Sequence, residues 1–96
     1  MIKIICHRGI WNSINEQNTK ISFQRAISNK LGIELDLRDY NKKIIISHDP
    51  ASVKNIYYFE NFLKDFSKKI ILYNITLALN IKSDGISKIL KKNLKK

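Results

Sequence analysis

The stretch that decides the fold is residues 32–50, which read GIELDLRDYNKKIIISHDP. Its first half alternates strictly between apolar and charged side chains, a period of two that is typical of a β-strand with two unlike faces. The apolar side chains are Ile33, Leu35 and Leu37, and the charged ones are Glu34, Asp36 and Arg38. Residues 39–43 are rich in turn-forming types, and residues 44–48 indicate a second strand. Because so short a connection leaves no room for a helical crossover, the two strands are predicted to form a hairpin.

Two carboxylates lie at i and i+2 on the charged face of the first strand. Glu34 and Asp36 are close enough there to share a cation, and carboxylate oxygens are preferred ligands of hard cations such as Mg²⁺ and Ca²⁺. His48 ends the second strand and adds an imidazole, the side-chain group most often used for proton transfer. The pattern predicts a hard-cation site beside an imidazole. The alternative is that both acids lie on the solvated face of an edge strand.

The segment before this stretch predicts one strand and one helix. Residues 2–6 predict a short buried strand that runs directly into His7, and a polar loop follows. Residues 20–31 carry apolar side chains at helical spacing, with Thr19 as the expected N-cap and Gly32 as the expected stop.

The segment after it predicts two further helices and one strand. An apolar stripe typical of core packing is formed by Phe59, Phe62, Leu63 and Phe66. Lys68 and Lys69 are expected to begin the connection to a strand over residues 75–82. A turn at 83–85 then leads to a basic helix striped by Ile86, Ile89, Leu90 and Leu94.

The predicted order is therefore β-α-β-β-α-β-α, which is typical of an α/β fold with a parallel sheet and one hairpin. Polar and titratable residues end three of the strands: His7, Arg8, Glu34, Asp36, Asn80 and Lys82. Active sites gather at the carboxyl ends of strands in such folds. We therefore expect His7, Glu34, Asp36 and His48 to converge at one end of the sheet.

Composition narrows the class of protein. The 96 residues suffice for one domain, and no apolar run has the length of a membrane span or of a signal peptide's apolar core. The single Cys6 suits a reducing compartment, so the cytoplasm is the expected location. The net charge is +10, but the positive residues are mostly Lys. Five of these crowd into the last nine residues without interleaved aromatic residues, which favours a solvated helix face over a nucleic-acid-binding surface.

In order and spacing, several of these residues resemble the glycerophosphodiester phosphodiesterases. The matching positions are His7-Arg8-Gly9, Asn18-Thr19, Phe23, Ala26, Gly32, Glu34, Asp36 and His48-Asp49, with a looser match that extends to Lys82. The resemblance implies a (β/α)8 TIM barrel related to the phosphatidylinositol-specific phospholipases C, and metal-dependent hydrolysis of a small-molecule phosphodiester. Residues 1–96 would then form a single incomplete domain, the N-terminal part of a barrel with about three βα units and a β-hairpin insertion.

The resemblance also implies roles for the matching residues. The catalytic acid and base are His7 and His48. The phosphate-binding residues are Arg8 and Lys82. The ligands of Mg²⁺ or Ca²⁺ are Glu34, Asp36 and Asn80.

Three departures from the family pattern weaken these expectations. Asn80 stands where the family usually has Glu, and an amide oxygen carries less charge than a carboxylate, so cation binding is expected to be weak. Gln17 stands where the family has Glu before Asn-Thr, unless Glu16 takes that part. A complete barrel needs roughly 250 residues, so activity is expected to be impaired by truncation.

Two other classes of function remain open at this point. In one of them, the chain is a non-catalytic remnant, or a half-barrel whose open edge is covered by a partner protein or by a second copy in a homo-oligomer. A basic nucleic-acid-binding module is the third reading. Metal binding and turnover distinguish the enzyme from both.

Overall fold

The central strand of the fold is the acidic stretch itself. In the structure, a computed structural model that describes residues 4–49 and 56–82, this stretch forms β2 over Gly32–Tyr40. The other elements of the described residues are β1 (Ile5–His7), a 3₁₀ turn (Ile14–Glu16), α1 (Lys20–Ser28), β3 (Lys43–Ile46), α2 (Phe59–Leu72) and β4 (Leu77–Ile81). The predicted order is confirmed as far as β4. The turn at 83–85 and the final helix lie outside the described residues.

β2 is paired along both of its edges. β4 runs parallel to it, with Ile33 beside Leu77 at one end of the ladder and Leu37 beside Ile81 at the other. On the opposite edge, β1 pairs in parallel with the first half of β2, and β3 pairs in antiparallel fashion with the second half. The described residues therefore form an α/β fold with a mixed four-stranded sheet, in which the hairpin is the antiparallel part.

The hairpin turn is tighter than predicted. Tyr40 pairs with Lys43, so only Asn41 and Lys42 form the loop. Both have positive φ, 47° and 63°, as in a type I′ turn, whose twist matches that of the strands it joins. The five-residue turn expected from composition was wrong because the residues that flank the loop continue the ladder.

Both helices cover the same face of the sheet. Ile33, Leu35 and Leu37 of β2 are fully buried on that face. Phe23 of α1 meets Phe62 of α2 edge-on, with ring centroids 5.2 Å apart. The core consists of Phe23, Ala26, Ile27, Ile33, Leu35, Leu37, Ile44, Ile46, Phe59, Phe62, Phe66 and Ile75. The aromatic stripe of α2 is therefore core packing, as predicted.

α2 is longer than the aromatic stripe suggested. It continues to Leu72, so Lys68 and Lys69 lie within the helix and do not begin the connection to β4. Both lysines are exposed, which explains why they extend the helix without interrupting its buried side. No helix among the described residues is long and apolar enough to cross a membrane.

α1 ends at Ser28, three residues before the predicted end. Lys30 takes the left-handed conformation, with φ 57°, and the amide of Leu31 donates to the carbonyl of Ala26 at 3.0 Å. This is a Schellman motif in which Lys occupies the position usually taken by Gly. Gly32 is therefore the first residue of β2 and not the stop of the helix.

β1 is less buried than predicted. Ile4 and Ile5 are 61% and 43% exposed. β1 pairs with β2 along one edge, and Ile5 lies on the sheet face that α1 and α2 leave uncovered. Cys6 points to the opposite face and packs against the core, half-buried, and this burial raises the pKa of its thiol.

Candidate functional site

The register of the sheet brings several predicted site residues onto the face that neither described helix covers. His7 lies beside Glu34 across the β1–β2 pairing, and Asp36 lies beside Asn80 across the β2–β4 pairing. Side chains paired in this way point to the same side of a sheet. The amide of Lys82 donates to a β2 carbonyl at 2.9 Å, which extends the β4 ladder and keeps Lys82 on the face of Asn80.

Asp36 is the centre of this face. Its side chain is fully buried, and both of its carboxylate oxygens accept hydrogen bonds. Oδ2 accepts from Nε of Arg8 at 2.8 Å and from Nδ2 of Asn18 at 3.0 Å. Oδ1 accepts from Nδ2 of Asn80 at 3.0 Å and lies 3.9 Å from Nζ of Lys82. A buried carboxylate needs paired charge and hydrogen bonds to be tolerated, and Asp36 has both.

The pKa of Asp36 lies below its ordinary value. Burial is the largest single influence and acts in the opposite direction, because it disfavours the charged carboxylate. The hydrogen bond from Asn18 and the positive charges of Arg8 and Lys82 together outweigh it. Asp36 is therefore ionised at neutral pH and can hold two cations near each other.

The loop between β1 and α1 delivers Arg8 and Asn18 to Asp36. Both loop residues have φ 58°, and the amide of Asn18 donates to the carbonyl of Arg8 at 3.1 Å. Gly9 has φ 83°, and a Cβ there would lie 2.5 Å from Oγ of Ser22. That hydroxyl donates to the carbonyl of Arg8 at 3.0 Å. The close approach of loop and helix therefore requires glycine at this position.

Thr19, the residue next to Asn18, is held in place by hydrogen bonds at the start of α1. Oγ1 of Thr19 accepts from the amide of Ser22 at 3.4 Å, and Oγ of Ser22 accepts from the amide of Thr19 at 3.2 Å. This reciprocal pair is a capping box, so Thr19 is the N-cap as predicted. The amide of Asp36 also donates to Oδ1 of Asn18 at 3.4 Å, which links the helix start to β2.

His7 and Glu34 form a second and more accessible pair. Nε2 of His7 lies 3.3 Å from Oε1 of Glu34, and their side chains are 57% and 35% exposed. Nε1 of Trp11 donates to the carbonyl of His7 at 3.0 Å, which holds the loop against the end of β1. An imidazole held by a carboxylate and open to solvent is suited to exchanging a proton with a bound ligand.

His48 lies just beyond β3, and its imidazole pairs with a different acid. Nδ1 is 3.2 Å from Oδ1 of Asp49. Nε and Nη2 of Arg38 donate to the carbonyl of His48 at 3.0 and 2.6 Å. Arg38 shares the face of Asp36, so its side chain ties the backbone of His48 to the edge of that face. The imidazole takes no part in the hydrogen bonds that surround Asp36 within the described residues.

The groups around Asp36 do not fit a divalent cation. Mg²⁺ and Ca²⁺ bind oxygen atoms, whereas the described groups next to both oxygens of Asp36 are nitrogens. Asn80 turns its amide nitrogen to Oδ1, and Glu34 pairs with His7. The described residues contain no cluster of three His, Cys, Asp or Glu side chains that could hold a metal. Cation binding by Glu34, Asp36 and Asn80 stays a prediction from the resemblance, and the contacts favour another role for Asp36.

Asn18 had no predicted role, and Gln17 departs from the family pattern. Oε1 of Gln17 accepts from Nη1 of Arg8 at 3.1 Å, so the neutral amide helps to orient the guanidinium. Glu16 instead accepts from Arg25 at 2.7 Å. The position of Asn18 immediately before an N-cap was a usable signal, because Asn readily adopts the left-handed conformation observed there.

Comparison with known proteins gave no match: no protein-family model, no curated protein and no solved structure corresponds to this chain. The resemblance to glycerophosphodiester phosphodiesterases therefore rests on the matching residues alone.

Proposed function

We propose that the chain binds and hydrolyses a phosphodiester, as the glycerophosphodiester phosphodiesterases that it resembles do. The observation that carries the proposal is the position of two cations, Arg8 and Lys82, around Asp36 on the sheet face that also bears His7. An anionic ester is bound by positively charged hydrogen-bond donors. Its hydrolysis needs a group that exchanges protons near neutral pH.

In this proposal the cations bind the phosphoryl oxygens and the histidines move protons. One imidazole takes a proton from a water molecule whose oxygen bonds to phosphorus. The other gives a proton to the alcohol oxygen as its bond to phosphorus breaks. His7 and His48 share these two roles. Glu34 orients the ring of His7, and Arg8 with Lys82 stabilises the charge that develops on the phosphoryl oxygens.

The proposal extends to the architecture, a section of a (β/α)8 barrel with a hairpin inserted. Three observations support it: β1, β2 and β4 are parallel, both described helices cover one face, and the polar residues lie on the other. A barrel interior is filled by side chains from all its strands. We propose that a partner protein or a second copy of this chain supplies further strands at the outer edge of β4.

One observation favours a second candidate function, a non-catalytic half-barrel that binds a partner. The face that bears His7 and Glu34 is covered by neither described helix, and Ile5 on that face is 43% exposed. A protein that docks there would bury this isoleucine together with the open face. Under this candidate the chain binds its partner and shows no turnover.

Turnover by the purified full chain tests the proposal. The assay uses a glycerophosphodiester and a chromogenic aryl phosphodiester, each with EDTA and with added Mg²⁺ or Ca²⁺. His7→Gln is expected to lower the rate by at least about 100-fold, because it removes a proton-transfer group. Lys64→Met is the control, because it removes an exposed lysine of α2 and should leave the rate unchanged. Absence of turnover by a folded wild-type chain, or equal rates for His7→Gln, would contradict the proposal.

A further inference from the structure

The contacts with Asp36 do not use all the hydrogen-bond donors of Arg8 and Lys82. Arg8 uses Nε on Asp36 and Nη1 on Gln17, and its Nη2 has no hydrogen-bond partner within residues 4–49 and 56–82. Lys82 is 3.9 Å from Asp36, which is an ion pair and too long for a hydrogen bond. Its side chain is 28% exposed. The two cations are therefore fixed by one carboxylate while they keep donors for a ligand.

The charge of this group matches a phosphodiester. Arg8 and Lys82 contribute two positive charges and Asp36 one negative charge, which leaves one net positive charge. A phosphodiester carries one negative charge. A divalent cation in the same place would add two further positive charges next to a carboxylate that is already paired.

We infer that Asp36 is not a ligand of a divalent cation but the residue that positions Arg8 and Lys82, so that the phosphate subsite of the proposed function works without a metal. The inference rests on the proposed function for its substrate class. In this arrangement the buried carboxylate occupies the centre of the subsite and acts through the cations, and it never touches the ligand. Asn18 and Asn80 complete the arrangement, since each donates to an oxygen that a metal would otherwise need.

Calorimetric titration in EDTA tests the subsite directly, with inorganic phosphate and dimethyl phosphate as probes. Wild type is expected to bind both probes. Lys82→Met should weaken binding by about tenfold or more, because it removes a charged donor. Lys64→Met, which removes the same charge at an exposed position of α2, controls for the high net charge of the chain. Equal losses in the two variants, or no binding by wild type in EDTA, would overturn the inference.

Asn80→Glu provides a second and opposite test. The substitution adds a third carboxylate to Glu34 and Asp36 and replaces a hydrogen-bond donor to Asp36 with an acceptor. We expect this variant to gain measurable Mg²⁺ or Ca²⁺ binding and to lose phosphate affinity in EDTA, while circular dichroism reports that the fold is kept. Cation binding by wild type that Glu34→Gln abolishes would overturn the inference.

The two proposals fail in different ways. Phosphate binding in EDTA without any turnover supports the subsite and tells against hydrolysis. Turnover that strictly requires Mg²⁺ or Ca²⁺, together with no phosphate binding in EDTA, overturns the subsite and leaves hydrolysis standing.

Discussion

Asp36 has the sequence spacing of a metal ligand, but its carboxylate is occupied by hydrogen bonds from other side chains. Its place on β2, two residues after Glu34, follows directly from the alternation of the sequence. Two of its partners do not, because Arg8 and Asn18 reach it by adopting left-handed conformations themselves in a loop. The side chain is fully buried, so its contribution to stability depends on keeping those partners.

Asp36→Asn is expected to destabilise the fold by about 3–5 kcal/mol, the usual cost of leaving one member of a buried ion pair without its partner. Denaturant unfolding followed by circular dichroism measures the change. Glu60→Gln is the matched control. It removes a carboxylate from a partly exposed pair with Lys43 and should cost less than about 1 kcal/mol. Similar costs for the two variants would show that the Asp36 network contributes little.

The pH dependence of this loss follows from the lowered pKa of Asp36. A carboxyl group whose pKa is lower in the folded chain stabilises the fold above its ordinary value of 3.8. That contribution is lost as the pH falls through the lower folded value. The stability difference between wild type and Asp36→Asn should therefore be full at neutral pH and shrink below about pH 4. Glu16, whose pKa is lowered by Arg25, loses stabilising interactions in the same range, but it does so in both proteins.

At the scale of elements, the fold depends on residues other than glycine in left-handed conformations. Lys30 ends α1 and Lys42 completes the hairpin turn, with φ 57° and 63°. Lysine does not favour this conformation, so hydrogen bonds in the Schellman motif and in the β2–β3 ladder must offset the free-energy cost of the left-handed backbone. These two positions are also where the predicted boundaries of α1 and of the turn were wrong.

Lys42→Gly is expected to stabilise the chain by up to about 1 kcal/mol, because Asn-Gly is the preferred pair in a type I′ turn and glycine avoids the left-handed penalty. Lys64→Gly makes the same exchange in an exposed position of α2, where it should cost about 1 kcal/mol. Thermal and denaturant unfolding of both variants measure these changes. A loss of stability in both would mean that the turn is not of this type.

At the scale of the whole molecule, the two described helices cover one face of the sheet and leave the other face uncovered. Within the described residues, β4 is paired with β2 alone. Alternate residues of β4 form backbone hydrogen bonds with β2. The backbone groups of the residues between them, Leu77, Leu79 and Ile81, therefore point away from β2, and Ile81 is 45% exposed. An edge strand with few charges is a template for pairing with another strand.

We expect the chain to associate through the β4 edge as its concentration rises. Size-exclusion chromatography with light scattering should give a mass above 11.2 kDa, and Ile81→Lys should restore the monomer, because an edge lysine disfavours strand pairing. Ile14→Lys is the control, since Ile14 is 75% exposed but lies in the 3₁₀ turn. A monomer at every concentration, or equal effects of both substitutions, would argue against this edge as the interface.

The sequence pattern predicted the structure best where it has a strong period. The alternation of β2, the hairpin, and the aromatic side of α2 all follow from the placement of apolar residues relative to the core. It was less successful where hydrogen bonds outweigh residue preference, as at Lys30. The site lies between these cases: strand register places Asp36 beside Asn80, but only the loop geometry explains why Arg8 and Asn18 both donate to Oδ2 of Asp36.

β1 is three residues long and, among the described residues, is paired along one edge, yet it carries His7 and leads directly to Arg8. Short strands held by few hydrogen bonds open in local unfolding long before the whole domain does. The amide of Arg8 donates to the carbonyl of Glu34 at 2.8 Å, so it exchanges with solvent only when β1 detaches at the site. Its hydrogen-exchange rate is therefore a direct reporter of how much of the time the site is assembled, with or without a ligand.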